Sequence, residues 1–248
     1  MIHPPIIKHL PSRMARILSL ETSTTVCSVA LHEDENLLSV AEVHQEHSHA
    51  AKLAVLIDEV MRLAAIELKD VNAIAVSSGP GSYTGLRIGT STAKGLCYAL
   101  AIPLIAIGTL ELLTAQVSKV NVNGAWLCPM IDARRMEVYC RISDANQNLV
   151  QSVEAKVIDE KSFDAYLNAN PIIFFGNGAE KCKSVIKHNN AFFISGISPS
   201  AAHLGHMAML KYRRNEFEDL VLFEPFYLKE FKVKKPRNLI HVDPNKIG

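Results

Sequence analysis

The arrangement that most narrows the folds open to this chain is the order in which its hydrophobic periods change. Short runs with strand character occupy Arg16–Glu21, Val26–His32 and Leu37–Val43, and only brief polar turns separate them. Three neighbouring strands joined so tightly form an antiparallel meander. The period then switches to that of a helix over His47–Leu68, where Leu53, Ile57, Val60, Ala64 and Leu68 share one face. A strand at Asn72–Ser77, a helix to about Ala101, a strand at Pro103–Ile107 and a helix at Thr109–Lys119 complete the first half. The second half repeats the order. Strands at Ala125–Asp132, Glu137–Ile142 and Leu149–Val157 precede a helix near Lys161–Asn168, strand Pro171–Phe175, helix Ala179–His188, strand Ala191–Ile194 and helix Ser200–Arg214, capped near Ser198 or Ser200. Leu220–Leu228 reads as a last extended segment. The duplication lies in the order of elements, since the residues show little self-similarity. It predicts an α/β protein of two lobes, each a mixed sheet with flanking helices.

This order sets expected boundaries: a lead-in at 1–13, a first lobe at 14–108, a second at 109–230 whose last helix packs back on the first, and a basic tail at 231–248. The tail's Lys, Pro and Asn content suits a mobile segment, and its Lys232, Lys234, Lys235 and Arg237 are suited to RNA phosphates or to plain solvation. With 48% apolar and 21% charged residues, the chain has material for packed cores and is not a disordered protein. A formal charge of +1 excludes a bulk polyanion binder while leaving room for a local basic patch. The uncharged run Gly95–Leu110 is interrupted by Pro103 and is shorter than the roughly 20 residues of a membrane span, and Met1–Leu10 lacks a sustained apolar run. These features predict a soluble protein. The odd, scattered set Cys27, Cys97, Cys128, Cys140 and Cys182 contains no C-x-x-C pair and reads as buried free thiols in a reducing compartment.

Five of the twelve glycines fall between Gly79 and Gly95, around the stretch Ser78-Gly79-Pro80-Gly81-Ser82-Tyr83-Thr84-Gly85-Leu86-Arg87-Ile88-Gly89. Between a strand and a helix, such a loop can present amides to an anion. It is neither a Walker A loop nor G-x-G-x-x-G, and Pro80 removes a donor. The competing reading is close packing, with Gly85, Gly89, Ala93 and Gly95 thinning the helix against a neighbour. Glu21 and Asp132 end the first strands of the two halves, at matched hairpins. Sugar-kinase and actin-type folds place such a carboxylate pair across a cleft to hold a metal–phosphate, with glycine in the hairpins so that amides can cradle it. Neither hairpin here contains glycine, which argues against nucleotide hydrolysis, and Asp132 can instead pair with Arg134 or Arg135. The clusters His44, His47, His49 and His203, His206 fall short of a supported metal set. No G-x-S-x-G elbow exists. The His47–Leu68 helix carries a second apolar flank (Ala50, Ala54, Met61, Ala65), wider than one sheet requires, to be covered by a neighbouring helix or by a partner protein.

Taken together, Ile17–Thr24 followed by Cys27–Leu31, the Ser78–Gly89 block, Asp132-Ala133-Arg134-Arg135-Met136-Glu137-Val138-Tyr139 and Tyr227-Leu228-Lys229 resemble the bacterial TsaB (YeaZ) family from Met14 to about Phe231. The resemblance implies a duplicated ribonuclease-H-like fold of the actin-like ATPase class that has lost catalysis. It implies a cytoplasmic partner of TsaD, the enzyme that threonylcarbamoylates adenosine at tRNA position 37, with TsaE, an ATPase, joining the pair. It further implies a homodimer when the chain is alone and an indirect contact with tRNA, with neither cofactor, metal nor membrane expected. The family's interface carries over to Ala50, Leu53, Ala54, Ile57, Met61 and Ala65. Its motif loop carries over to Gly79, Gly81, Ser82, Tyr83, Thr84, Gly85 and Arg87, and its vestigial hairpin carboxylates to Glu21 and Asp132. Glu21 stands where the family more often has Asp, and the His pair of the metal-binding relatives is not reproduced. Two enzyme readings compete with the scaffold: a nucleotide-dependent ATPase or phosphotransferase using Glu21, Asp132 and the Gly79–Gly85 loop, and a glycoprotease-type metallopeptidase.

Overall fold

The computed structural model describes residues 14–45, 49–121 and 123–229. The lead-in at 1–13, His47 and the basic tail lie outside the described residues. The elements run β1 (Arg16–Glu21), β2 (Val26–Glu33), β3 (Asn36–His44), α1 (His49–Ala64), β4 (Ala73–Gly79), α2 (Tyr83–Leu100), β5 (Leu104–Gly108) and α3 (Thr109–Ser118). They continue as β6 (Trp126–Asp132), β7 (Glu137–Ser143), β8 (Leu149–Val157), α4 (Asp164–Leu167), β9 (Ile172–Phe175), α5 (Ala179–Cys182), β10 (Ala191–Ile194) and α6 (Ala201–Arg213). The helix expected to run to Leu68 stops at Ala64, and Leu68 lies instead in a 3-10 turn, Leu68–Asp70, between α1 and β4.

The two sheets have the same strand order, β3-β2-β1-β4-β5 and β8-β7-β6-β9-β10. In each the meander is antiparallel and the fourth and fifth strands add in parallel, starting beside the first strand. The duplication read from element order is therefore a duplication of topology, and the architecture is the expected pair of mixed sheets with flanking helices. Three further segments are shorter than their periodicity suggests. The helices at Lys161–Asn168 and Ala179–His188 contract to single turns, α4 and α5. Leu220–Leu228 forms no strand, and its neighbour Glu218 makes only an isolated bridge to Leu104.

Helix α1 turns Leu53, Leu56, Ile57, Val60 and Met61 onto the first sheet. This is the i, i+3, i+4, i+7, i+8 spacing of a core-facing stripe, and burial of each side chain stabilises by about 1.5–3 kcal/mol. It ends where Ala65 turns left-handed (φ +52°) and the Ile66 amide donates to the Met61 carbonyl. Helix α2 starts at Ser82, whose hydroxyl accepts from the Gly85 amide at 3.3 Å, and stops at left-handed Ala101.

The remaining two long helices are exchanged between the lobes. Leu110, Leu113 and Val117 of α3 pack on Leu127, Ile131 and Phe175 of the second sheet. Leu204, Ala208, Met209 and Tyr212 of α6 pack on Ile17, Ala73, Ala75, Ile105 and Ile107 of the first. The α6 start is fixed from β2: the Ala201 amide donates to Ser28 Oγ at 2.9 Å, and His32 Nε2 lies 3.1 Å from the Ala202 carbonyl. Gly205 admits the His32 ring, since a Cβ there would lie 2.1 Å from it. All five cysteines are buried and free.

Candidate functional site

In an actin-type fold a phosphate would lie against the first hairpin of each lobe. Here the first hairpin is filled. Glu21, Thr22 and Ser23 have no exposed surface. The Ser23 amide donates to Glu21 Oε1 at 2.6 Å, and Ser77 on β4 donates its hydroxyl to the other carboxylate oxygen. Thr22 Oγ1 donates to the Gly85 carbonyl at 2.8 Å, and the Ser82 amide donates to the Ser23 carbonyl at 2.6 Å. The motif glycines are what allow this approach. A Cβ on Gly81 would stand 2.3 Å from the Ser23 carbonyl oxygen, one on Gly85 2.1 Å from that of Thr22, and one on Gly89 2.2 Å from Thr22 Oγ1. Helix α2 thus occupies the space at the hairpin: the packing reading holds for Gly85 and Gly89, Ala93 is buried, and Gly81 adds a close approach the reading did not include. That reading fails for Gly95, which is exposed and has nothing within 4 Å of its Cβ position.

Burial also sets the chemistry of Glu21. Removal from water pushes its carboxyl from 4.5 up to about 7, against the hydrogen bonding from Ser23 that favours the anion. A carboxyl with no exposed surface, occupied by Ser23 and Ser77, does not face a cleft. Asp132, by contrast, is exposed. Its partner is neither arginine side chain of the hairpin: Lys181 on α5 makes the ion pair, and only the Arg134 backbone N–H donates to Asp132 Oδ1, at 2.9 Å. The two carboxylates are therefore not an equivalent pair.

One correspondence between the lobes escaped the reading of the sequence. Gly176-Asn177-Gly178 comes directly after β9 much as Gly79-Pro80-Gly81 begins on the last residue of β4, and both loops close on their own lobe's first strand or hairpin. The Gly178 amide donates to the Met130 carbonyl at 3.0 Å, and Asn177 Oδ1 accepts from the Asp132 amide at 3.0 Å. The repeated G-x-G after the fourth strand was the available signal.

Between the lobes lies a cavity of about 440 Å³ lined by Ser78, Gly108, Glu111, Lys211, Glu218 and Phe226, among others. Lys211 is tied to the Ala106 carbonyl at 2.8 Å, and Glu111 pairs with Arg141 at 3.2 Å. The segment after α6 closes over its edge: the Phe226 amide donates to the Ser78 carbonyl at 2.7 Å, and Lys94 Nζ donates to the carbonyls of Val221 and Phe223, both at 3.1 Å. Gly79 (φ +107°) is the point of closest approach, 2.8 Å from its Cβ position to the Phe226 carbonyl oxygen.

Helix α1 divides the six residues carried over as an interface. Leu53, Ile57 and Met61 face inward, at 2%, 6% and 5% exposure, and belong to the core. Ala50, Ala54 and Ala65 face outward. Val55 and Leu63, more than half exposed, lie further round the helix, Leu63 about half a turn from Ala54, and the adjoining α2 exposes Tyr98. The wide apolar arc is thus covered from within along one stripe and open along the other. His49 is buried with Nε2 3.2 Å from the Val26 carbonyl, and among the described residues no group of three or more His, Cys, Asp or Glu could hold a metal. No described helix is long and apolar enough to cross a membrane.

The sequence profile of the TsaD family, described as tRNA N6-adenosine threonylcarbamoyltransferase, matches residues 41–239. The "tRNA threonylcarbamoyladenosine biosynthesis protein TsaB" of Buchnera aphidicola subsp. Schizaphis graminum is 32% identical over 173 residues, which span 70% of this chain and 69% of that one. Escherichia coli TsaB is 36% identical over 125 residues, a match that spans about half of each protein, 50% of this chain and 53% of that one. The solved structure of YeaZ from Pseudomonas aeruginosa superposes with a TM-score of 0.74 at 27% identity, covering 87% of this chain and all of that one. With the glycine loop, hairpins and duplicated sheets already in view, these likenesses place the chain in the TsaB (YeaZ) family.

Proposed function

We propose that this chain is a non-catalytic subunit that supports a TsaD-type transferase in making threonylcarbamoyladenosine in tRNA, in the cytoplasm. The observation that carries the non-catalytic half is the sealed first hairpin: Thr22 and Ser23 are hydrogen-bonded to α2, where an actin-type enzyme would leave amides open for phosphate. The relatives named for threonylcarbamoyladenosine biosynthesis support the other half. The docking face in this reading is the exposed flank of α1 that carries Ala50 and Ala54. The same face serves a homodimer in the absence of TsaD, and TsaE joins the assembled pair.

Co-elution with the cognate TsaD on size exclusion tests the proposal. Wild type is expected to shift into a heterodimer at micromolar concentration. Ala54→Arg places a charge on the exposed face and is expected to abolish the shift while changing monomer stability by less than about 0.5 kcal/mol. A complex that forms equally well with the variant refutes the docking face, and absence of any complex with wild type refutes the partnership.

A further inference from the structure

The second hairpin, the start of α2 and the segment after α6 converge on one stretch of surface that the scaffold role leaves unused. Tyr83, Tyr139, Phe226 and Tyr227 line a shallow dent together with Lys229. The rings of Tyr83 and Tyr227 lie 4.8 Å apart, tilted by 42°, and the Arg87 guanidinium sits 4.3 Å over the Tyr83 ring. Arg134 and Lys229 are close enough to Tyr139 to act on its hydroxyl electrostatically. Two acids are present, Asp132 and Glu137, and each is held by a lysine, Lys181 and Lys229. Arg87, Arg134 and Arg135 are exposed and make no ion pair among the described residues. Left-handed backbone at both Arg134 (φ +71°) and Arg135 (φ +52°) shapes the hairpin that carries them.

The dent measures about 40 Å³, far too little to enclose a nucleotide. What the surface offers is a set of exposed cations beside half-exposed aromatic rings, suited to a polymer laid across it. Cations alone would suit an acidic protein equally well. The tyrosines favour RNA, because an unstacked base meets a ring face whatever its identity.

We infer that this surface binds RNA, with backbone phosphates on Arg87, Arg134 and Arg135 and unpaired bases against Tyr139 and Tyr227. The inference rests on the family reading, which makes tRNA the polymer at hand. It gives the chain a direct contact with the substrate of its partner in place of an indirect one.

The test is fluorescence anisotropy of an unmodified tRNA transcript with the full chain, between about 50 and 200 mM salt. Every variant retains Lys232, Lys234, Lys235 and Arg237 of the tail, so a change reports the surface alone. Arg134→Gly with Arg135→Gly removes two cations and leaves the left-handed backbone unstrained. The slope of log affinity against log salt is expected to become shallower by about 1.4–1.8, the value of two lost phosphate contacts. Tyr227→Ala is expected to weaken binding about five- to one-hundred-fold, and Tyr227→Phe to restore it. An unchanged slope in the double-glycine variant overturns the inference, as does absence of binding by wild type. Loss of TsaD co-elution by these variants with tRNA affinity intact also overturns it, by assigning the surface to a protein. Co-elution of wild type with TsaD is scored separately, so a failed RNA contact and a failed family reading give different results.

Discussion

One substitution made at two places on a single helix separates packing from propensity. Gly85 and Gly95 both lie in α2, and Ala is the better helix former at each by about 0.5–1 kcal/mol. At Gly95 the new methyl meets nothing within 4 Å, so Gly95→Ala is expected to stabilise by that amount. At Gly85 the methyl would stand 2.1 Å from the Thr22 carbonyl oxygen and 3.3 Å from its carbonyl carbon. The obstruction is backbone, so relief requires α2 or the hairpin to move by more than an ångström. Such movement strains the bonds from Thr22 Oγ1 to Gly85 and from Ser82 to Ser23. Overpacking of a tight core costs about 1–3 kcal/mol. Weakening two buried hydrogen bonds adds about 1 kcal/mol each, against the small gain in propensity. The net expectation is destabilisation by about 2–4 kcal/mol. Thermal unfolding followed by circular dichroism would show a fall in Tm of roughly 5–15 °C for Gly85→Ala and a rise of a few degrees for Gly95→Ala. Equal shifts of the same sign would refute the claim that the glycine loop exists to let α2 reach the hairpin.

Two further outcomes follow from burial. The folded Glu21 carboxyl titrates at about 7, above its ordinary 4.5, so the native state holds a proton that the unfolded chain releases. Stability from this group is fully present below pH 4.5 and is lost as the pH rises to 7, by about 3 kcal/mol in all. Glu21→Gln is expected to flatten that decline in urea unfolding compared at pH 5.5 and 8, and an unaltered decline would refute the assignment. Burial likewise pushes Cys27 and Cys182 up to about 11 and Cys97 up to about 12. The five thiols are expected to resist an aromatic disulfide reagent at pH 8 until denaturant is added, and rapid native labelling would contradict their burial.

The order of elements was legible because strand and helix periods differ by nearly a factor of two, and each long element carries its own pattern. The residues at the hairpin were legible as a motif, yet their roles were not. Nothing local reveals that the hydroxyl partner of Glu21 is Ser77, 56 residues away, or that Lys181 rather than a neighbouring arginine neutralises Asp132. Helix α1 shows the same limit. Its apolar arc is evident in the sequence, but the division into Leu53, Ile57 and Met61 inside and Ala50, Ala54 and Ala65 outside depends on how the helix is rotated on the sheet. The cluster of Tyr83, Tyr139 and Tyr227 joins three distant segments and leaves no periodic trace.

The exchange of α3 and α6 has a consequence for any attempt to dissect the protein. Cutting the chain after β5 would strip the front sheet of Leu204, Ala208 and Met209, and leave Ile17, Ala73 and Ile105 bare to water. Moving the cut past α3 makes matters no better, because Leu110, Leu113 and Val117 would then depart from Leu127 and Phe175. Neither half is a separable module; each is completed by a piece of the other, like two hands with interlaced fingers.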